Sequence, residues 1–89
     1  MKQIFKYPIK VSRTQEIEMP QGSEILSLQT QNNTPYIWAL VDEDLPTEYR
    51  FFEVFGTGHF LPEENRNYIG TFQIDSGAFV GHCFELLKK

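Results

Sequence analysis

Residues 68–87 read Tyr-Ile-Gly-Thr-Phe-Gln-Ile, then Asp-Ser-Gly-Ala, then Phe-Val-Gly-His-Cys-Phe-Glu-Leu-Leu. Two β-prone runs, Tyr68 to Ile74 and Phe79 to Leu87, flank a turn tetrapeptide in which Gly77 supplies the positive φ that hairpins need. With Ser76 and Gly77 as a two-residue loop, Gln73 faces Val80, Thr71 faces His82 and Ile69 faces Phe84. That side of the ribbon is half polar. The other side carries Phe72, Ile74, Phe79 and Cys83, with Gly70 and Gly81 leaving room for a neighbouring aromatic ring. The hairpin thus separates a core face from a polar face, the arrangement expected of an antiparallel sheet with one side packed.

The same patterning recurs upstream at spacings typical of a sandwich or barrel. Ile4 to Val11 sets Phe5, Tyr7 and Ile9 against Lys6 and Lys10, and Pro8 confines this strand to an edge or a bulge. Gln15 to Glu18 ends at the turn Met19-Pro20-Gln21-Gly22. Glu24 to Gln31 sets Leu26, Leu28 and Thr30 against Ile25, Ser27 and Gln29. Tyr36 to Val41 is apolar on both faces, which predicts the central, most buried strand with Trp38 as its core anchor. Asn32-Asn33-Thr34-Pro35 joins these two as a hairpin loop, since Asn tolerates left-handed φ. Tyr49 to Phe55 follows the acidic connection Asp42 to Glu48. Residues Leu61 to Asn67 hold at most one helical turn. The expectation is an all-β domain over residues 1–89: a compact antiparallel β-sandwich or partly open barrel of seven short strands.

Composition narrows the function. One Trp, four Tyr and eight Phe in 89 residues favour strands over helices. They also load a small domain with more apolar surface than one core covers, so a homo-oligomer is expected. A net charge of −4 without a basic stripe argues against a nucleic-acid polymer as partner. No run is long and apolar enough to span a membrane as a helix, and residues 1–6 lack the apolar region of a signal peptide. With Cys83 as the single cysteine, a disulfide framework is excluded and a reducing cytoplasm is expected.

Chemistry concentrates in Gly56-Thr57-Gly58-His59. Glycines permit close backbone approach, so this turn is able to aim N–H groups at an anion while His59 donates from its ring. The alternative is an ordinary turn whose histidine caps a neighbouring backbone group. Thr71 and His82 either satisfy each other or extend the site, with Gln73 beside them. Tyr36, Tyr49 and Phe60 offer stacking surfaces, and Arg50 or Arg66 a cation for phosphate. The loop lacks the residues of a dinucleotide or phosphate-cradling motif. His82 and Cys83, adjacent in a strand, point to opposite faces and make no thiol–imidazole pair. No cofactor or metal set is evident; Asp42, Glu43, Asp44, Glu63 and Glu64 read as solvated charge.

Taken in order, Lys6-Tyr7-Pro8-Ile9, Glu18-Met19-Pro20-Gln21-Gly22, Trp38-Ala39-Leu40-Val41-Asp42, Gly56-Thr57-Gly58-His59, Tyr68-Ile69-Gly70-Thr71-Phe72-Gln73 and the Phe79 to Glu85 segment resemble a family of short, largely uncharacterised proteins of tailed phages and prophages. The resemblance covers nearly the whole chain. By analogy with compact phage proteins of this kind, it implies an anti-defence sponge in the host cytoplasm, an oligomer that binds a nucleotide-derived immune signal without cleaving it. It lends no catalytic residues. Two other readings stand beside it: a protein-interaction or structural module using an exposed strand such as Ile4 to Val11, and a nucleotide hydrolase with His59 or His82 as base.

Overall fold

Seven antiparallel strands build the chain in a computed structural model that describes residues 1–87. They are β1 (Lys2–Pro8), β2 (Thr14–Pro20), β3 (Glu24–Gln31), β4 (Thr34–Asp42), β5 (Thr47–Gly56), β6 (Arg66–Ile74) and β7 (Phe79–Leu86). One sheet has the order β1-β4-β3, the other β2-β5-β7-β6. The two stack as a sandwich, with β3 lying against β6. No helix occurs among the described residues, and Leu61 to Asn65 is open loop instead of a helical turn.

Local chemistry explains the hairpins. Asn32 and Asn33 adopt φ of 52° and 64°, the left-handed pair that a two-residue turn with the right twist requires. At the β6–β7 tip the positive φ extends over Asp75, Ser76 and Gly77, and Gly77 N–H donates to Ile74 O at 3.1 Å. The two tips clasp each other. Asn33 Nδ2 donates to Asp75 Oδ1 at 2.9 Å, and Asp75 N–H donates to Asn33 Oδ1 at 2.8 Å, which ties one sheet to the other at that end.

The core consists of Ile9, Met19, Leu28, Ile37, Phe52, Val54, Phe72 and Cys83. Pro8 lies on an edge strand as its chemistry demands, and Thr71 pairs with His82 in the expected register. Gly81 makes room for Phe72: a Cβ at this position would lie 2.5 Å from Phe72 Cζ. Gly81→Ala should therefore destabilise by about 1–3 kcal/mol, the usual range for overpacking a filled core. Urea denaturation measures it, and an unchanged midpoint would contradict the packing.

Four sequence expectations are corrected. A bulge between Ile25 and Ser27 resets the alternation of β3, so Ile25 and Leu28 both turn inward and Leu26 is exposed. A second bulge, between Tyr68 and Gly70, puts Tyr68 opposite Phe84 and turns Ile69 toward the core. β2 continues through Met19, which is fully buried, and the turn begins only at Gln21. Finally, β4 is central, but Trp38 is not a core residue. Ile37, Ala39 and Val41 point inward, while Tyr36 and Trp38 lie half-buried on the outer side with the Lys6 ammonium 4.5 Å from the Tyr36 ring centre. The most buried run is Phe52 to Phe55 in β5.

Candidate functional site

That run is buried because both of its faces are covered. Phe52 and Val54 enter the core, whereas Glu53 and Phe55 point outward and are still only 6% and 3% exposed. Their cover is local. Phe84 meets Phe55 edge-on at 5.9 Å, and Tyr68 meets Phe84 at 5.4 Å. The Arg66 guanidinium lies 5.5 Å from the Phe55 ring centre and donates from Nε to Glu53 Oε1 at 2.8 Å. Its Nη1 also donates to Pro62 O, and Leu87 N–H donates to Asn65 O at 2.9 Å. These bonds hold the connection between β5 and β6 over the outer face of the sheet.

The glycine–histidine turn opens this connection. His59 N–H donates to Gly56 O at 3.1 Å, and Gly58 takes φ of 88°, which makes a tight turn over residues 56–59. Gly56 N–H in turn donates to His59 Nδ1 at 3.2 Å. A Cβ on Gly56 would sit 2.9 Å from His59 Cε1, so glycine lets the imidazole lie flat on the strand end. Two of the turn's N–H groups are thus spent internally and do not form an anion cradle. The ring caps a backbone group, and with Nδ1 accepting, its proton is on Nε2.

His82, on the outer side of β7, has both ring nitrogens bonded. Nε2 lies 2.7 Å from Thr57 Oγ1, Nδ1 lies 2.9 Å from Thr71 Oγ1, and Thr71 Oγ1 also bonds the Tyr68 hydroxyl. One hydroxyl donates and the other accepts in the neutral ring. The chain Tyr68–Thr71–His82–Thr57 joins β6, β7 and the turn. Beside it, Phe55, Leu61 and Phe84 form the apolar wall of a hollow of about 180 Å³ that Thr57, His59 and His82 also line.

Thr57, His59, Thr71 and His82 therefore come together, with Gly56 and Gly58 shaping the turn. Gln73 lies two residues beyond Thr71 on the same exposed side, its amide oxygen folded toward Gly77 at the hairpin tip. Arg50 does not join them. It sits roughly 20 Å along β5 on the core side, donates to both Glu85 oxygens at 2.6 and 3.0 Å, and reaches Ser23 O at 2.7 Å. Arg66 is likewise bound to Glu53. Strand alternation does not predict the Tyr68–Thr71 contact, since side chains at i and i+3 of a regular strand point to opposite faces; the bulge at Ile69 creates it.

Cys83 occupies the opposite side of β7 from His82 and is fully buried. Burial, followed by the charges of Glu85 and Glu53, pushes its thiol up to about 12. The folded protein holds this proton while an unfolded thiol would lose it near 9.0, so stability should fall as pH rises from 9 toward 12. Iodoacetamide near pH 8 is expected to leave the native thiol intact and to modify it in denaturant. Modification of the native protein at the denatured rate would contradict this burial.

Residues 1–89 belong to the family described as a domain of unknown function, DUF7352. Compared with curated proteins and with solved structures, the chain finds no match.

Proposed function

We propose that this protein binds a small nucleotide-derived ligand at its glycine–histidine turn and holds it without converting it, as a phage anti-defence sponge does, in the host cytoplasm. The observation that carries this reading is the position of His59. Its ring is locked by its own turn and lines three adjoining hollows of about 250, 410 and 180 Å³. A fixed donor at the junction of concave, partly apolar surfaces suits recognition of a ligand with a flat base and polar oxygens. Holding is favoured over chemistry because both His82 nitrogens are engaged and the thiol is buried on the other face.

His59→Ala should weaken binding by about ten- to a hundred-fold, the loss of one hydrogen bond to a charged acceptor at roughly 1.5–3 kcal/mol. The melting temperature should barely change, because His59 is exposed. Calorimetric titration with cyclic mono-, di- and trinucleotides and with ADP-ribose tests both arms. Unchanged affinity would remove His59 from the site, and unfolding would return it to a structural cap.

A second reading rests on the 2.7 Å contact between Thr57 Oγ1 and His82 Nε2, the pairing a hydrolase uses between nucleophile and base. Product release from the same nucleotides would favour it. The sponge reading also takes the protein to be at least a dimer, with Tyr49, Phe51, Phe60 and Tyr68 exposed on or beside the outer face. Light scattering at micromolar concentration should give more than 10.4 kDa; the monomer mass would refute self-association.

A further inference from the structure

We propose that Arg13, on the β1–β2 connection, is the cation of this site and takes a phosphate group in the hollow it shares with His59. The inference rests on the ligand-binding reading above and names the chemistry that the site selects. Its basis is a gap in the sheet. Pairing of β2 with β5 begins at Thr14 opposite Glu53, so beyond Glu53 the β2 side of β5 has no neighbouring strand. Gly56 N–H points out of this open edge, which is why His59 caps it. The largest of the three hollows, about 410 Å³, fills the gap between Ser12 and Arg13 on one side and His59 on the other, with Phe79 as an apolar wall.

The arginines divide by their partners. Arg50 is bound to Glu85 and Arg66 to Glu53, whereas Arg13 has no carboxylate partner among the described residues. It is nonetheless oriented. Its guanidinium lies 4.7 Å from the Phe55 ring centre, and stacking on a ring face leaves the planar N–H donors free at the rim. Glu53, the last β5 residue with a partner on β2, has its charge met by Arg66. Arg13, His59 and the Phe79 wall thus meet around this hollow, with the unpaired guanidinium held over Phe55 at the same strand end, on the outer side of the sheet. Those are the elements that recognise phosphate beside a flat ring.

The test uses the full chain labelled with ¹⁵N and titrated with inorganic pyrophosphate, alongside the nucleotide that wild type binds best. Expected are saturable shifts of the Arg13 side-chain Nε–H and of the Ser12 and Gly56 amides, weakening as salt rises. Arg13→Gln should lower pyrophosphate affinity about tenfold or more, with Arg13→Lys recovering part of it. Because Arg13 is exposed, both variants should melt like wild type. Absence of pyrophosphate shifts at Arg13 would overturn the proposal. So would a nucleotide that binds Arg13→Gln as tightly as wild type, although this result would leave the ligand-binding reading intact. Pyrophosphate binding at Arg13 without binding of any nucleotide would support the anion site and sink the nucleotide reading.

Discussion

Replacing Arg66 by alanine should cost about 3 kcal/mol and loosen the cover over the candidate site before the rest of the fold melts. Arg66 and Glu53 are each only 8% exposed in their side chains, so the variant leaves a carboxylate buried without its counterion. Removing one partner of a buried pair costs about 3–5 kcal/mol. The lower end applies here, since the pair lies beneath a surface connection and not between the sheets. The same guanidinium bonds Pro62 O and stacks near Phe55 and Phe84, so the residue 57–65 segment loses its anchor as well. Urea denaturation gives the total, and hydrogen exchange of the Thr57 to Asn65 amides gives the local part. The double replacement Glu53→Leu with Arg66→Met should recover most of the stability. A loss below about 1 kcal/mol would reduce the pair to an ordinary surface contact.

Phe52→Ala should be the most damaging single change, at about 3–5 kcal/mol. Phe52 is fully buried in the centre of β5 and belongs to the core cluster to which both sheets contribute. A domain of this size has roughly 5–15 kcal/mol in all, so the variant should be largely unfolded near body temperature or recoverable only at low temperature. Trp38→Phe supplies the contrast. The Trp38 Nε1 is buried without a hydrogen-bond partner, and removing an unsatisfied donor is close to neutral. A drop of less than about 1 kcal/mol is expected on the same urea scale. Equal damage from the two changes would contradict the assignment of Trp38 to the outer face.

Much of this fold was legible in the residues because alternation, proline and turn chemistry act locally. Pro8 marks an edge, Asn32 and Asn33 mark a left-handed turn, and the Ser76–Gly77 region sets the register that brings Thr71 to His82. Bulges were not legible. Leu26 and Ile69 look like any other apolar strand residue, yet each shifts the face of its neighbours by one position. Burial on the outer side of β5 was also hidden, since it depends on a connection distant in sequence folding back. A signal was present in Phe51-Phe52-Glu53-Val54-Phe55, which is as apolar on both faces as the β4 segment, with a charge that needs a buried partner.

The candidate site divides the same way. His59, Thr57 and His82 followed from the glycine turn and the hairpin register, both short-range features. Arg50 lies apart from the turn, because its partner Glu85 is 35 residues away and is brought beside it only by the β5–β7 pairing. Arg13 carries no motif at all. What singles it out is the early end of β2 and the stack on Phe55, both tertiary facts.

Binding without conversion is tested most directly by capture and release. Purified protein is incubated with the nucleotide panel, washed free of unbound ligand and heat-denatured, and the supernatant is analysed by mass spectrometry. A sponge returns one nucleotide intact, in an amount that falls about tenfold or more with His59→Ala. Recovery of a cleaved product, or of no nucleotide at all, would contradict it.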